Sequence, residues 1–305
     1  MSLVGVFDLQ YLHDVVRLSA PIAVVALAGA LTQRAGLMNI GLEGLLLFGA
    51  FAAVLGAGLT GSLAIGTLAA ALAGALLALA FGWFTLRLRA NVFIVGLATN
   101  AFSAAATAYA AWLLSGQEGQ LRLEGMPTLP RLELPLLARF EPLSFLSGHT
   151  ALDYLAWLLV PIVAYVLFRS RFGLRLRATG EDPAAARAAG LRVDALRYAA
   201  IAASGLLAGL AGAQLSLSLG GFVQDMSGGR GWVGLVAAIV GGATAWGSAG
   251  VALLFGAAQG AANSLQLSAR GVAPQLLLAF PYVLTLVALV GYSAVRSRRR
   301  GASEE

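Results

Sequence analysis

Hydrophobic residues in this chain are gathered into long runs, which short polar or basic segments separate. Most runs have roughly 20 residues, the length of helix that crosses the hydrocarbon core of a bilayer. The runs lie at about 15–31, 40–57, 62–84, 92–114, 151–168, 198–219, 232–246, 249–266 and 273–294. This pattern predicts an all-α polytopic membrane protein with about nine transmembrane helices, and a range of about eight to ten.

The two runs at 232–246 and 249–266 are short and rich in glycine. They predict broken or partly re-entrant helices, joined by a very short turn at 247–250. Gly205, Gly209 and Ala213 follow one another at a spacing of four in an earlier run. Small residues at this spacing predict a helix face that packs closely against its neighbours in lipid.

Arginine marks the loops and predicts the orientation of the chain. Basic residues concentrate at 85–91, at 169–197 and in the tail after 295. Loops rich in Arg are cytoplasmic in most membrane proteins, which places these three segments inside. Alternation of the spans then puts the polar segment 115–150 and the N-terminus outside and the C-terminus in the cytoplasm. The whole chain, 1–305, is expected to form a single transmembrane domain.

Composition excludes several classes of function. Hydrophobic residues make up 59% of the chain and charged residues 11%, with a mean hydropathy of +0.83, which excludes a water-soluble globule. The chain has no Cys and two His, so we expect no metal site. All 20 basic residues are Arg, and without Lys the chain cannot form a Walker phosphate-binding loop. The positive charge follows membrane topology and does not indicate nucleic-acid binding.

Polar residues at the start of the second run are the first candidate site. Asn39 and Glu43 lie four residues apart and therefore on one helical face. An acid near membrane depth is costly and indicates a function by default, here a substrate path or gate. Alternatively, Glu43 is an interfacial residue paired with Arg34. Thr99 and Asn100 in the fourth run either face the same path or form hydrogen bonds between helices.

The second candidate is a short helix at 183–189 inside the basic loop 169–197. Asp182 is a good N-cap, Pro183 is favoured at the first helical position, and Gly190 is a typical stop. A helix this short is marginal alone in water, so it should dock against a partner. The alternative is a helix that lies on the bilayer surface.

These segments resemble one known family, the permease subunits of ABC importers of the ribose and branched-chain amino acid type, and most closely its nucleoside or simple-sugar branch. The resemblance rests on four elements that occur in order over roughly 32–290. They are Gln33-Arg34-Ala35-Gly36 through Asn39-Ile40-Gly41-Leu42-Glu43-Gly44, Gly180-Glu181-Asp182-Pro183 through Ala189-Gly190-Leu191, the glycine-rich stretch 204–212, and Gly229 to Leu235. The turn Trp246-Gly247-Ser248-Ala249-Gly250 departs from the family pattern.

The resemblance implies a permease for nucleosides or simple sugars in the bacterial plasma membrane, which works by alternating access. It implies a separate ATPase subunit that uses ATP, a second related permease chain or a second copy of this one, and a substrate-binding lipoprotein or periplasmic protein. This chain would bind no cofactor and would not be an enzyme. The helix at 183–189 would be the coupling helix that inserts into the ATPase. The coupling residues would be Gly180, Asp182, Pro183, Ala185, Ala186, Arg187, Ala189 and Gly190.

Two other classes of function fit the sequence less well. An ion-driven secondary transporter usually has titratable groups at the membrane midplane, and here Glu43 is nearly alone. A membrane enzyme would show clustered acids, His or metal ligands at an interface. The external segment 115–150 has acids without such spacing, which makes an enzyme the weakest of the three readings.

Overall fold

The computed structural model describes residues 9–135 and 141–268. Helices dominate it, and four two-residue strands form two small antiparallel sheets. The helices are α1 (Leu9–Arg34), α2 (Leu42–Thr60), α3 (Leu63–Gly82, continued by a π-helical turn at Trp83–Arg87), α4 (Val92–Ser115), α5 (Ala151–Phe168), α6 (Arg171–Glu181), α7 (Pro183–Ala188), α8 (Val193–Leu219), α9 (Arg230–Val240) and α10 (Ala245–Ser268). A 3₁₀ segment covers Glu141–Leu146. The strands are β1 (Gln120–Leu121), β2 (Arg131–Leu132), β3 (His149–Thr150) and β4 (Phe222–Val223), with β1 paired to β4 and β2 to β3.

The strands lie together at one end of the bundle, which we call the strand end. Helices α6 and α7 lie at the other end, which we call the basic end. Among the described residues, six helices are long and apolar enough to cross a membrane: α1, α2, α3 with its π-helical turn, α4, α5 and α8. The chain is therefore a multi-span helical protein, as the hydrophobic runs predict. The run 273–294 and the tail lie outside the described residues.

The turn predicted at 247–250 is wrong. Helix α9 ends at Val240, the chain turns at 241–244, and residues 247–250 lie inside α10. Gly242 and Ala243 have left-handed backbone angles, with φ of +66° and +51°. Gly247 serves close packing instead, because a Cβ there would lie 2.3 Å from the carbonyl oxygen of Gly241. Sequence reasoning therefore misread a packing glycine as a turn glycine.

Helix α8 packs against both α2 and α3 through glycines. A Cβ on Gly205 would lie 2.4 Å from the carbonyl oxygen of Gly74 in α3. A Cβ on Gly49 in α2 would lie 2.5 Å from the Cα of Gly209. These approaches bring the backbones into contact, which is how helices gain packing energy in lipid. The small-residue face predicted around Gly205 and Gly209 is confirmed.

The basic segment 169–197 holds two helices where one was expected. Helix α6 is amphipathic and is capped by Ser170, whose hydroxyl accepts the N–H of Gly173 at 3.0 Å. Helix α7 follows at once and ends at Ala188, one residue before the predicted end. The arginines of α6 alternate with small and apolar residues, so the sequence pattern alone does not indicate a helix there.

Candidate functional site

Asn39 ties the non-helical connection between α1 and α2 to α8. Its side chain is almost fully buried, and its Nδ2 donates to Ser204 Oγ at 3.1 Å. Its Oδ1 accepts the backbone N–H of Gly41 at 3.1 Å. A buried amide satisfied at both ends fixes the geometry of the segment that leads into α2.

Asn100 ties the same connection to α4. Its Oδ1 accepts the N–H of Gly44 at 2.7 Å, and its Nδ2 donates to the carbonyl oxygen of Ile40 at 3.0 Å. The neighbouring Thr99 donates within its own helix, to the carbonyl oxygen of Val95 at 2.8 Å. The contacts of Asn100 match the alternative of hydrogen bonds between helices, whereas that of Thr99 stays within α4, and the role of both residues in a substrate path stays a prediction.

Glu43 holds the N-terminus of α9. Its Oε1 accepts the N–H of Gly229 at 2.9 Å, and its Oε2 accepts the N–H of Gly231 at 2.6 Å. The first helical N–H groups lack partners inside the helix, and a carboxylate there also complements the helix dipole. Helix α9 has only 11 residues and spans about 16 Å, too short for the roughly 30 Å of hydrocarbon. The prediction of a short or broken helix in the run 232–246 is confirmed, whereas the run 249–266 lies inside one continuous helix of 24 residues, α10.

Arg34 holds the turn that follows α9. Its Nε donates to the carbonyl oxygen of Ala243 at 2.8 Å, and its Nη2 donates to that of Gly242 at 2.9 Å. The guanidinium also lies over the ring of Phe168, 5.4 Å from its centroid. Glu43 is thus bonded to the backbone of α9, and the alternative in which Glu43 pairs with Arg34 is not what the structure contains.

The predicted coupling helix is capped as the sequence indicates. Asp182 Oδ1 accepts the N–H groups of Ala184 and Ala185 at 2.9 and 3.0 Å, and Pro183 occupies the first turn. Ala186 is buried against the protein, and Gly190 ends the segment with φ of +80°. The other side of α7 and the residue after it are open to solvent, with Ala184, Ala185, Arg187, Ala188 and Ala189 exposed.

Gly180 connects this region to the α1–α2 segment. A Cβ on Gly180 would lie 2.3 Å from the carbonyl oxygen of Arg34 and 2.8 Å from the backbone nitrogen of Gly36. Helix α6 therefore touches the same segment that carries Asn39 and Glu43 further along. The sequence indicates the α1–α2 segment and the region of Gly180 as two separate features. The structure places Gly180 in direct backbone contact with that segment.

A cavity of about 400 Å³ with both polar and apolar lining residues opens near the strand end, and sequence reasoning missed it. Its polar lining includes Arg17, Arg131, Thr150, Asp153, Gln214, Ser218 and Arg230. Asp153 is 2% exposed, and its Oδ2 accepts the N–H of Thr150 at 2.8 Å and the Thr150 hydroxyl at 2.7 Å. Its Oδ1 accepts from the buried amide of Gln214. The sequence does contain a signal for the contact between Thr150 and Asp153. An acid lies three residues after Thr150, at the start of an apolar run, and this spacing is typical of a capping box.

The two histidines, distant in sequence, stack on each other beside this cavity. The rings of His13 and His149 are nearly parallel, with centroids 4.2 Å apart. His149 Nε2 lies 2.9 Å from the carbonyl oxygen of Phe145, so it carries the proton in the neutral ring. Burial is the main cause that lowers the pKa of His149 from its usual 6.5. This contact joins α1 to β3.

The sequence matches, over residues 11–289, the family described as the permease component of the branched-chain amino acid transport system. The chain belongs to this family. It is therefore a multi-pass plasma-membrane protein of the ABC permease class, which decides against the secondary-transporter reading. Permease subunits of this class lack an ATPase of their own.

Curated relatives cover nearly the whole chain. The guanosine ABC transporter permease protein NupQ of Bacillus subtilis is 33% identical over 90% of this chain and 89% of its own length. The nucleoside ABC transporter permease protein NupC of Lactococcus lactis is 31% identical over 78% of this chain and 77% of its own length. The putative glucose ABC transporter permease protein TsgC13 of Haloferax volcanii is 29% identical over 95% and 93%.

One solved structure supports the fold. It is an inward-facing conformation of a putative metal-chelate type ABC transporter, with a TM-score of 0.52 and 17% identity. The match covers 92% of this chain and 85% of that one. The likeness is one of fold alone, and it agrees with a helical ABC permease.

Proposed function

We propose that this chain is the permease subunit of an ATP-driven importer that carries nucleosides by alternating access. The supporting observation is the combination of family membership with two relatives named for guanosine and nucleosides at 33% and 31% identity. Simple sugars are the second candidate cargo, because the relative named for glucose matches 95% of the chain. The chain breaks no bond in its cargo.

The orientation follows from the charge distribution. The basic end, with α6 and α7, faces the cytoplasm, and the strand end with segment 115–150 faces outward. The N-terminus then lies outside and the C-terminus inside, with about nine membrane-crossing segments in one domain, 1–305. The segment that contains α9 counts as one of them, although α9 itself has only 11 residues and forms only part of that crossing.

Helix α7 is the coupling helix of this proposal. Its open face of small side chains around Ala185 and Ala189 permits close approach of a partner, and Arg187 adds a charge at its rim. The partner is a separate ATPase subunit, which binds and hydrolyses ATP, because this chain has no Lys for a Walker loop. This chain itself holds no cofactor. Motion of α7 reaches the spans through α6 and Gly180.

The complex requires further chains. A second permease, either a related chain or another copy, would complete the translocation path. A substrate-binding lipoprotein or periplasmic protein would deliver the nucleoside to the strand end.

Affinity purification from native membranes in mild detergent tests the assembly. We expect an ATPase subunit, a permease partner and a binding protein by mass spectrometry. Uptake of labelled guanosine into vesicles should require ATP and should persist when an uncoupler collapses the ion gradient. ATP-independent uptake that an uncoupler abolishes would overturn the proposal. Glucose uptake without guanosine uptake would move the cargo to the second candidate.

A further inference from the structure

The cavity near the strand end combines one fixed carboxylate–amide pair with cationic side chains. Asp153 and Gln214 are 2% and 4% exposed, and they bond to each other across α5 and α8. Arg17 and Arg131 line the same cavity and are exposed to solvent. Arg230, the first residue of α9, lines its inner part.

Asp153 and Gln214 each keep a hydrogen-bonding position that no group of the described residues uses and that a ligand can occupy. A carboxylate offers about four acceptor positions, and Asp153 uses three of them for Thr150 and Gln214. A carboxamide offers two donors and an accepting oxygen, and Gln214 uses one donor for Asp153.

The mixture of groups selects the chemistry of the ligand. Arg17 is paired with Asp14 at 3.2 Å. Arg131 and Arg230 still disfavour a cation, and the buried Asp153 carboxylate disfavours an anion that reaches the pair. An apolar ligand would desolvate Asp153 and Gln214 without replacing their bonds to water. Neutral hydroxyl groups fit, because each hydroxyl donates to a carboxylate or amide oxygen and accepts from an N–H group.

We propose that this cavity binds the ribose hydroxyls of a nucleoside, with Asp153 and Gln214 as the groups that contact them. The inference rests on the nucleoside cargo proposed above and adds the place and the groups that recognise it. Its volume of about 400 Å³ falls in the usual range for small-molecule sites. Arg230 lines the same cavity, and its neighbours Gly229 and Gly231 are held by Glu43.

The test uses protection of a single thiol, because the chain contains no Cys. Ser218 lies one turn beyond Gln214 on α8, is exposed and lines the cavity. The complete importer carrying Ser218→Cys, in membrane vesicles, is treated with a membrane-impermeant thiol reagent. Mass spectrometry of this chain follows the rate of modification. Thr60→Cys is the matched control, since Thr60 is exposed at the strand end of α2.

Guanosine at concentrations that saturate uptake should slow modification of Ser218→Cys and leave Thr60→Cys unchanged. The 2′,3′-dideoxy analogue should need about 10- to 100-fold higher concentration for equal protection, because it lacks hydrogen bonds to a charged group. Absence of protection, equal protection by both nucleosides, or protection of Thr60→Cys would each overturn the inference. Uptake is measured in the same vesicles, so guanosine uptake without protection refutes this site and leaves the proposed function standing.

A second variant tests the contribution of the Gln214 amide, which is also the partner of the buried Asp153. Gln214→Leu keeps the approximate volume and removes the amide, and it should raise the guanosine concentration for half-protection by about 10-fold or more. Gln117→Leu, at an exposed position of the strand end, should leave protection unchanged. If Gln214→Leu protects as the parent does, Gln214 does not contact the ligand. The comparison of the two nucleosides does not depend on this variant.

Discussion

Glu43 Oε2 accepts the backbone N–H of Gly231 at 2.6 Å, across 188 positions of the chain. The contact joins the start of α2 to the start of a helix of only 11 residues. The Glu43 carboxylate, although it lies inside a hydrophobic run, has a structural role. It accepts hydrogen bonds from two backbone N–H groups at the start of α9, which would otherwise lack a partner.

Replacement of Glu43 by Ala should destabilise the protein by about 1.5–3 kcal/mol, since hydrogen bonds to a charged group are lost. Glu43→Gln keeps an accepting oxygen and should lose less. The Tm of the purified protein in detergent and guanosine uptake measure the effect. Glu118→Ala, an exposed acid of the segment 115–150, is the control and should change neither. Equal Tm values for Glu43→Ala and Glu118→Ala would contradict the role of Glu43.

Gly180→Ala should impair both folding and transport, because its Cβ would meet the carbonyl oxygen of Arg34 at 2.3 Å. Overpacking of this kind costs about 1–3 kcal/mol. Gly250→Ala is the matched control, since nothing lies within 4 Å of the position its Cβ would take. The Tm and the yield of folded chain compare the two. A Gly180→Ala protein as stable as Gly250→Ala would show that α6 does not press on the α1–α2 segment.

Asp182→Ala should weaken α7 by about 0.5–2 kcal/mol, because two backbone N–H groups lose their acceptor. The short helix should then transmit ATP hydrolysis poorly, so uptake falls per ATP hydrolysed. Asp182→Asn retains an accepting oxygen and should behave as the parent. Combining Asp182→Ala with Pro183→Ala should enlarge the defect. Unchanged uptake and unchanged stimulated ATPase activity in the double variant would refute the coupling assignment.

Stability should fall with acidification through the His13–His149 stack. The folded protein lowers the pKa of His149 below 6.5, so the unfolded chain takes up the proton first as the pH falls. The contribution is complete above pH 6.5 and is lost as the pH drops from there through the lower folded pKa. The Tm of the purified protein between pH 7.5 and about pH 5 shows the loss. His149→Gln, which does not titrate, should flatten that slope.

Local structure was predictable where the interacting groups belong to the same short segment of sequence. The Asp182 cap and the Pro183 start are satisfied within α7, and the glycines of α8 repeat at a spacing that lipid packing requires. The hydrophobic runs likewise predicted the helices, because each run alone satisfies its backbone in the bilayer. Family resemblance then connected these elements to transport.

The contacts between distant segments were not predictable from spacing. Asp153 and Gln214 lie 61 positions apart, and His13 and His149 are further apart still, so only the fold brings them together. Gly247 was misread because glycine serves both turns and close packing, and the sequence does not distinguish them.

Arg34 and Glu43 flank one short connection, and they hold opposite ends of α9. The carboxylate holds its first N–H groups, and the guanidinium holds the carbonyl oxygens of Gly242 and Ala243 in the turn after its last residue. Each charge has the sign that the helix dipole favours at that end. The connection and α9 therefore form a single rigid strut, which can tilt or slide as one body but cannot change its length. Because Gly180 lies against the backbone of Arg34 and Gly36, a displacement there would act on the segment whose two charged side chains hold both ends of α9.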